Sequence, residues 1–148
     1  MSAANNKATA ESQLRKLIED QIAAVRAKNI DRSIANYAPD VVSFDVVNTL
    51  QKSGLEACRK RAEEWFSSFQ GPIGYEVHDL KITSYDDLAF CHSLNRVKAT
   101  KTDGGLLEMW WRATVSYRKI DGKWLITHEH SSVPFDAKSG VAQLDLKP

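Results

Sequence analysis

Residues 109–135 read MWWRATVSYRKIDGKWLITHEHSSVPF, and their pattern decides the fold. Two runs rich in Thr, Val, Ile, Trp and Tyr flank Asp121-Gly122, the strongest short-range signal for a β-hairpin. Strand side chains alternate with period two, so Trp124, Ile126, His128 and His130 should share one face of the second arm. That face begins aromatic and ends in two imidazoles, as a cavity wall with polar groups at one end would.

Working outward from the hairpin, the preceding chain reads as an antiparallel meander. Gly74–Thr83 is one strand, with a turn at Tyr85-Asp86-Asp87. Leu88–Thr100 is the next, with a turn at Asp103-Gly104-Gly105. Leu106–Ile120 and Lys123–Val133 complete the sheet, and Pro134 stops it.

Upstream, helical spacing takes over. Residues 1–10 are expected to form a disordered arm. From Glu11 the apolar residues Leu14, Leu17, Ile18, Ile22 and Val25 recur as on an amphipathic helix. Gln21 falls on the same stripe and must either face a polar pocket or mark its edge, because a buried amide needs partners. Asp31 is a candidate N-cap for a short helix through Ala38, with Ile34 and Tyr37 inward and Pro39 closing it. Val41–Val47 then reads as a strand interrupted by Asp45. Ser53–Glu56 fits a capping box for a helix carrying Cys58, Ala62, Trp65, Phe66 and Phe69 on one face, stopped at Gly71-Pro72. Those aromatics suit core packing, a cavity wall, or both. Helices first and long strands after predict an α+β fold, a curved sheet wrapped around the N-terminal helices and enclosing a pocket.

Composition narrows the function. With 148 residues the chain fits one domain, 11–135, followed by a polar tail, 136–148, on which Leu144 and Leu146 could dock. A net charge of +1 without a basic run gives no footprint for nucleic acid or an anionic membrane. No apolar run approaches membrane-spanning length, and the polar N-terminus does not resemble a signal peptide, so a cytoplasmic location is expected. Cys58 and Cys91 lack metal-type spacing and are read as reduced and buried.

Several residues could carry chemistry. Asp45, in an apolar strand, should be desolvated, which raises a carboxylate's pKa and makes it a better base near neutrality. A solvent-facing carboxylate at the strand end is the plainer alternative. His128 and His130 could line a pocket, with His130 as acid or donor, or be structural, or ligate a metal with a third residue that spacing does not identify. Which residue opposes His130 depends on the turn. A two-residue turn places Ala113 there, and a three-residue turn with a bulge at Gly122 places Arg112 there. The bulged form is favoured, because it gives Arg112 polar surroundings. Ser93 and Asn95 are placed inside, with His92 and Arg96 outside.

At this point the residues show a family likeness. The hairpin DGKWLITHEHSSVPF resembles that of SnoaL-like proteins of the nuclear transport factor 2-like superfamily, which have a cystatin-like fold. It is also similar to the association domain of calcium/calmodulin-dependent protein kinases. The run NIDRSIANYAPDVVSFD, with Ser53-Gly54 opening the next helix, is similar in the N-terminal half. The resemblance covers nearly everything from Glu11 to Phe135. Beside ketosteroid isomerase, Val25–Gly54 matches without a gap, and Asp45 falls where that enzyme's aspartate base lies. The tyrosine donor of that enzyme is replaced by about Gln21, and its protonated aspartate, within one or two positions, by Thr114. Loss of both oxyanion donors argues against steroid isomerisation.

The resemblance implies a homodimer through the outer sheet face and a cofactor-independent enzyme abstracting a proton beside the carbonyl of a small hydrophobic ligand. Asp45 would be the base and His130 the acid. Gln21, Asn95 and Arg112 would orient the carbonyl, with His128 beside them and Tyr37, Trp65 and Trp111 as walls. No metal or cofactor is required. The alternative is a non-catalytic ligand-binding or assembly module.

Overall fold

A computed structural model describes residues 2–148, and its architecture is α+β. A long helix α1 (Ala3–Arg26) and a single turn α2 (Ile30–Ser33) lead into strand β1 (Tyr37–Phe44). A two-residue strand β2 (Lys52–Ser53) and helix α3 (Leu55–Ser67) follow. Four long strands then run to the hairpin: β3 (Phe69–Tyr85), β4 (Leu88–Lys101), β5 (Leu106–Ile120) and β6 (Lys123–Ser132). The six strands form one sheet in the order β2-β1-β6-β5-β4-β3. All pairings are antiparallel except β1 with β6, which is parallel. The sheet curves without closing, and α1 and α3 cover its concave face.

Leu14, Ile18 and Val25 are buried as the α1 stripe requires. The helix starts earlier than the periodicity suggests: Ser2 caps it, Ala3–Ala10 are helical rather than a disordered arm, and Ala10 reaches the core. Trp124 Nε1 donates to Gln13 Oε1 at 3.1 Å and ties this end of the helix to β6.

Several boundaries shift. Asn29, not Asp31, caps α2, accepting from Arg32 N, and the helix ends at Ser33. Tyr37, Ala38 and Pro39 therefore begin β1 instead of closing a helix. The capping box at Ser53 does not form. Gly54 caps α3 without a side-chain bond, at φ +89°, a conformation that glycine alone adopts readily. Phe69 opens β3, and Gly71-Pro72 falls in an irregular stretch of that strand rather than ending the helix.

Two apolar clusters hold the sheet and helices together. One packs Leu14, Ile18, Val41, Cys91, Tyr117, Trp124 and Ile126. The other packs Val25, Phe66, Phe69, Ile73, Val97 and Ala99. In the tail, Phe135 pairs with Ala142, and Leu144 and Leu146 stay about half exposed, at 46% and 49%.

Candidate functional site

A cavity of about 440 Å³ lies between α1, α3 and the concave sheet face. What enters it is decided by one irregularity in β6. The β5–β6 turn is the two-residue form, pairing Ile120 with Lys123, with Asp121 at φ +50° and Gly122 at φ +81°. Further along, Tyr117 pairs with Ile126 but Ser116 pairs with His128, so Thr127 is an extra residue, a β-bulge. One extra residue exchanges the two faces for everything beyond it. Trp124 and Ile126 point into the core, and beyond the bulge it is Glu129 and Ser131 that face the cavity.

The expected roles of three residues are thereby corrected. His130 is exposed on the outer face opposite Thr114, and so paired with neither Ala113 nor Arg112. His128 is on the same outer face, its Nδ1 2.7 Å from the Val42 carbonyl oxygen and its ring edge-on to Phe44 at 4.7 Å. Arg112 is exposed and donates to Ser132 Oγ at 3.1 Å. None of the three lines the cavity.

Gln21, Tyr37, Asp45, Trp65, Asn95 and Trp111 do line it. Gln21 faces the pocket and donates from Nε2 to the Ser33 carbonyl at 3.2 Å. Ser93 and Asn95 are inside as expected, and His92 and Arg96 outside. Arg96 is held there by Glu76 at 2.7 Å and Glu108 at 3.0 Å.

Glu129, missing from the sequence reading, sits at the polar end of the cavity. Its Oε2 accepts from the Tyr37 hydroxyl at 2.7 Å and its Oε1 from Ser43 Oγ at 3.0 Å. Burial pushes its carboxyl above the ordinary value, more than those two hydrogen bonds pull it down, and the nearby charge of Asp45 adds to the rise. Burial likewise lifts the Tyr37 hydroxyl well above its ordinary range.

Asp45 behaves oppositely to expectation. Burial acts to raise its carboxyl, but the hydrogen bond and charge of Arg61, joined by Lys52, outweigh it and hold the group below its ordinary value. Its Oδ2 meets Arg61 Nε at 2.7 Å and Lys52 Nζ at 3.3 Å, and its Oδ1 accepts from the Val46 backbone at 2.6 Å. The cavity thus holds two carboxylates with opposite tendencies, one kept ionised and one inclined to keep its proton. Such divergence is how neighbouring groups come to serve as acid and base.

A relay crosses toward the aromatic end. Ser93 Oγ donates to Asn95 Oδ1 at 2.7 Å, and Asn95 Nδ2 donates to the Tyr75 hydroxyl oxygen at 3.1 Å. Among the described residues, the Tyr75 hydroxyl proton has no acceptor and is free to point at a ligand. Burial keeps that hydroxyl from ionising, so it serves as a neutral donor. Trp65, Phe69, Tyr75 and Trp111 form the aromatic wall, with ring centroids 5.7–6.4 Å apart between neighbours. Arg61 and Tyr75 were legible in outline: Arg61 lies four residues before Trp65 on one helix face, and Tyr75 alternates with Ile73 and Val77.

Residues 14–136 match the profile of the SnoaL-like domain. The chain belongs to that family. A SnoaL-like assignment agrees with the solved structures. A nuclear transport factor 2-like protein of unknown function from Pseudomonas putida is 40% identical, with a TM-score of 0.86 over 95% of this chain and 98% of that one. A proposed calcium/calmodulin-dependent protein kinase II association domain from Xanthomonas campestris is 23% identical, with a TM-score of 0.72 over 90% and 87%. A proposed scytalone dehydratase from Novosphingobium aromaticivorans is 12% identical, with a TM-score of 0.77 over 95% of each chain. The last two share the fold. No protein with a curated description matches the sequence. Among the described residues, no helix is long and apolar enough to cross a membrane, and no three His, Cys, Asp or Glu side chains gather as a metal site would.

Proposed function

We propose that this SnoaL-like protein is a cofactor-independent enzyme that moves a proton on a small carbonyl compound. The observation that carries this is Glu129: a carboxyl raised by burial, in an aromatic-walled cavity, hydrogen-bonded on both oxygens and accompanied by an ionised Asp45. Glu129, rather than Asp45 or His130, acts as the base. Its carboxylate takes a proton from the carbon beside the carbonyl, and the C–H electron pair moves onto the carbonyl oxygen as an enolate. Tyr75 donates to that oxygen, held in place by Asn95. Glu129 then returns the proton to carbon or oxygen, which gives isomerisation, or to a leaving hydroxyl, which gives elimination. Asp45 stays charged and fixes Arg61 and Lys52 at the polar end.

Hydrogen–deuterium exchange at the carbon beside the carbonyl, followed by NMR in D₂O with small aryl ketones, tests the reading. Wild-type protein should catalyse exchange, and Glu129→Gln should bind the same ketone while exchanging at least ~100-fold more slowly. Exchange unchanged in Glu129→Gln would assign the proton transfer to another base, and ketones that bind without exchange would make the cavity a binding site in a non-catalytic module. Self-association as a homodimer through the outer sheet face belongs to the same proposal. It is supported by Phe90 (47% exposed), Trp110 and His128 on that face, and sedimentation equilibrium checks it.

A further inference from the structure

The cavity's charges are unbalanced in one place. Lys52, Arg61 and Asp45 converge at the polar end, two cations on one carboxylate, and both cations line the cavity. Neither reaches freely into bulk water, with side chains 16% and 26% exposed for Lys52 and Arg61. Both spend their contact on the same atom, Asp45 Oδ2. Arg61 reaches it through Nε alone, so its two terminal nitrogens have no acceptor among the described residues. Those nitrogens form the edge of the guanidinium fork whose spacing matches a carboxylate.

We infer that the ligand is a small aromatic or acyl monocarboxylate, its carboxylate seated on the terminal nitrogens of Arg61 beside Lys52 and its apolar body against Trp65 and Trp111. This inference rests on the proton-transfer reading of the same cavity and names its substrate class. Lys52 and Arg61 against Asp45 alone leave one positive charge, which a monoanion on the fork neutralises; Glu129 is bonded to Tyr37 and Ser43 and touches neither cation. A phosphate dianion overshoots that charge and meets Asp45, and a neutral ligand leaves the terminal nitrogens of Arg61 without a charged acceptor where water is partly excluded. The apolar body follows from the aromatic wall, where Phe69, Leu107 and Met109 join the two tryptophans. Where such a ligand carries a ketone next to its carboxylate, Tyr75 and Glu129, which line the same cavity, are the donor and the base available to it.

Phenylpyruvate and its methyl ester form the test pair, differing in one charge while sharing the ketone and the acidic methylene. Affinity for each is measured by titration calorimetry, and exchange of the methylene by NMR. Wild type should bind the acid at least about tenfold tighter than the ester, the ratio expected of charge-assisted bonds to a fork. That ratio should fall towards one in Arg61→Gln and fall partway in Lys52→Gln. The wild-type ratio needs no variant, so poor folding of either variant leaves the inference falsifiable. An ester that binds as well as the acid and still exchanges in a Glu129-dependent way overturns the carboxylate inference and leaves the proton-transfer reading standing. Acid preference without exchange retains the anion site and removes the proton transfer. If neither compound binds, both fall, and the three charged side chains serve only to pin β2 to α3.

Discussion

Glu129 and Asp45 make opposite demands on pH. The Glu129 carboxyl is raised in the fold, so the native state holds that proton more tightly than the unfolded chain. Its contribution to stability is full below the ordinary value of 4.5 and is lost as pH rises through the raised value. Asp45 is lowered, so its contribution is full above 3.8 and is lost as pH falls through the lowered value. Glu129→Gln is therefore expected to melt higher than wild type at pH 7.5, with the gain disappearing near pH 4.5; thermal scans at the two pH values check it. Asp45→Asn, by contrast, leaves Arg61 and Lys52 without their countercharge. It should cost about 1–3 kcal/mol at neutral pH, read by urea unfolding. Tyr75→Phe removes the hydroxyl that the Ser93–Asn95 relay orients. It should slow exchange by ~100-fold with Glu129 intact, and a smaller change would show that another group bears the enolate charge.

At the scale of the element, irregularities in the strands do most of the positioning. Gly74 sits beside β4, where an added Cβ would meet the Lys98 carbonyl oxygen at 2.5 Å. Backbone cannot swing aside as a side chain can, so Gly74→Ala should lower stability by about 1–3 kcal/mol in denaturant titrations, although the residue lies outside the cavity. The bulge at Thr127 explains why the sequence yields so much of the fold and the wrong half of the site. Periodicity located every long strand to within a few residues at one end or both, because hydrophobic alternation reports burial directly. It put Ser93 and Asn95 inside for the same reason, but left Gln21 and Trp65 open between pocket and packing, and the register it favoured turned Arg112 inward where the structure turns Trp111. Alternation also assumes an unbroken ladder, and nothing in LITHEH marks Thr127 as the unpaired residue. Parity past that point inverts, so His128 and His130 were expected where Glu129 stands. Asp45 failed for a different reason: its cations come from positions 52 and 61, and their convergence on one oxygen is a tertiary event that local spacing does not carry.

Across the whole molecule, one apolar cluster reaches away from the cavity to the far end of α1, while the other also forms the cavity wall. Leu14 is fully buried in the cluster formed with β6, away from the cavity, whereas Trp111 faces the cavity and keeps some accessible surface. Leu14→Ala should cost about 2–5 kcal/mol and leave ligand affinity within a few-fold of wild type. Trp111→Ala should weaken binding of the aryl probes more than it lowers the unfolding midpoint. Parallel calorimetry and urea titrations of the two variants separate these effects. Loss of affinity in Leu14→Ala equal to that in Trp111→Ala would mean that the cavity is shaped by global packing, not by its own wall.

The one parallel pairing carries a consequence for the order of events on the ribosome. Strand β1, made early, has only the two-residue β2 on one side and β6, made last, on the other. Until β6 has emerged, β1 has no partner beyond the two residues of β2, and Glu129 does not yet exist to receive Tyr37. The nascent chain must therefore carry β1, paired only with the two residues of β2, through nearly the whole of synthesis, with its long-range closure as the slow, aggregation-exposed step. The yield of folded protein should respond to translation rate and chaperone supply while residues 45–129 are being made.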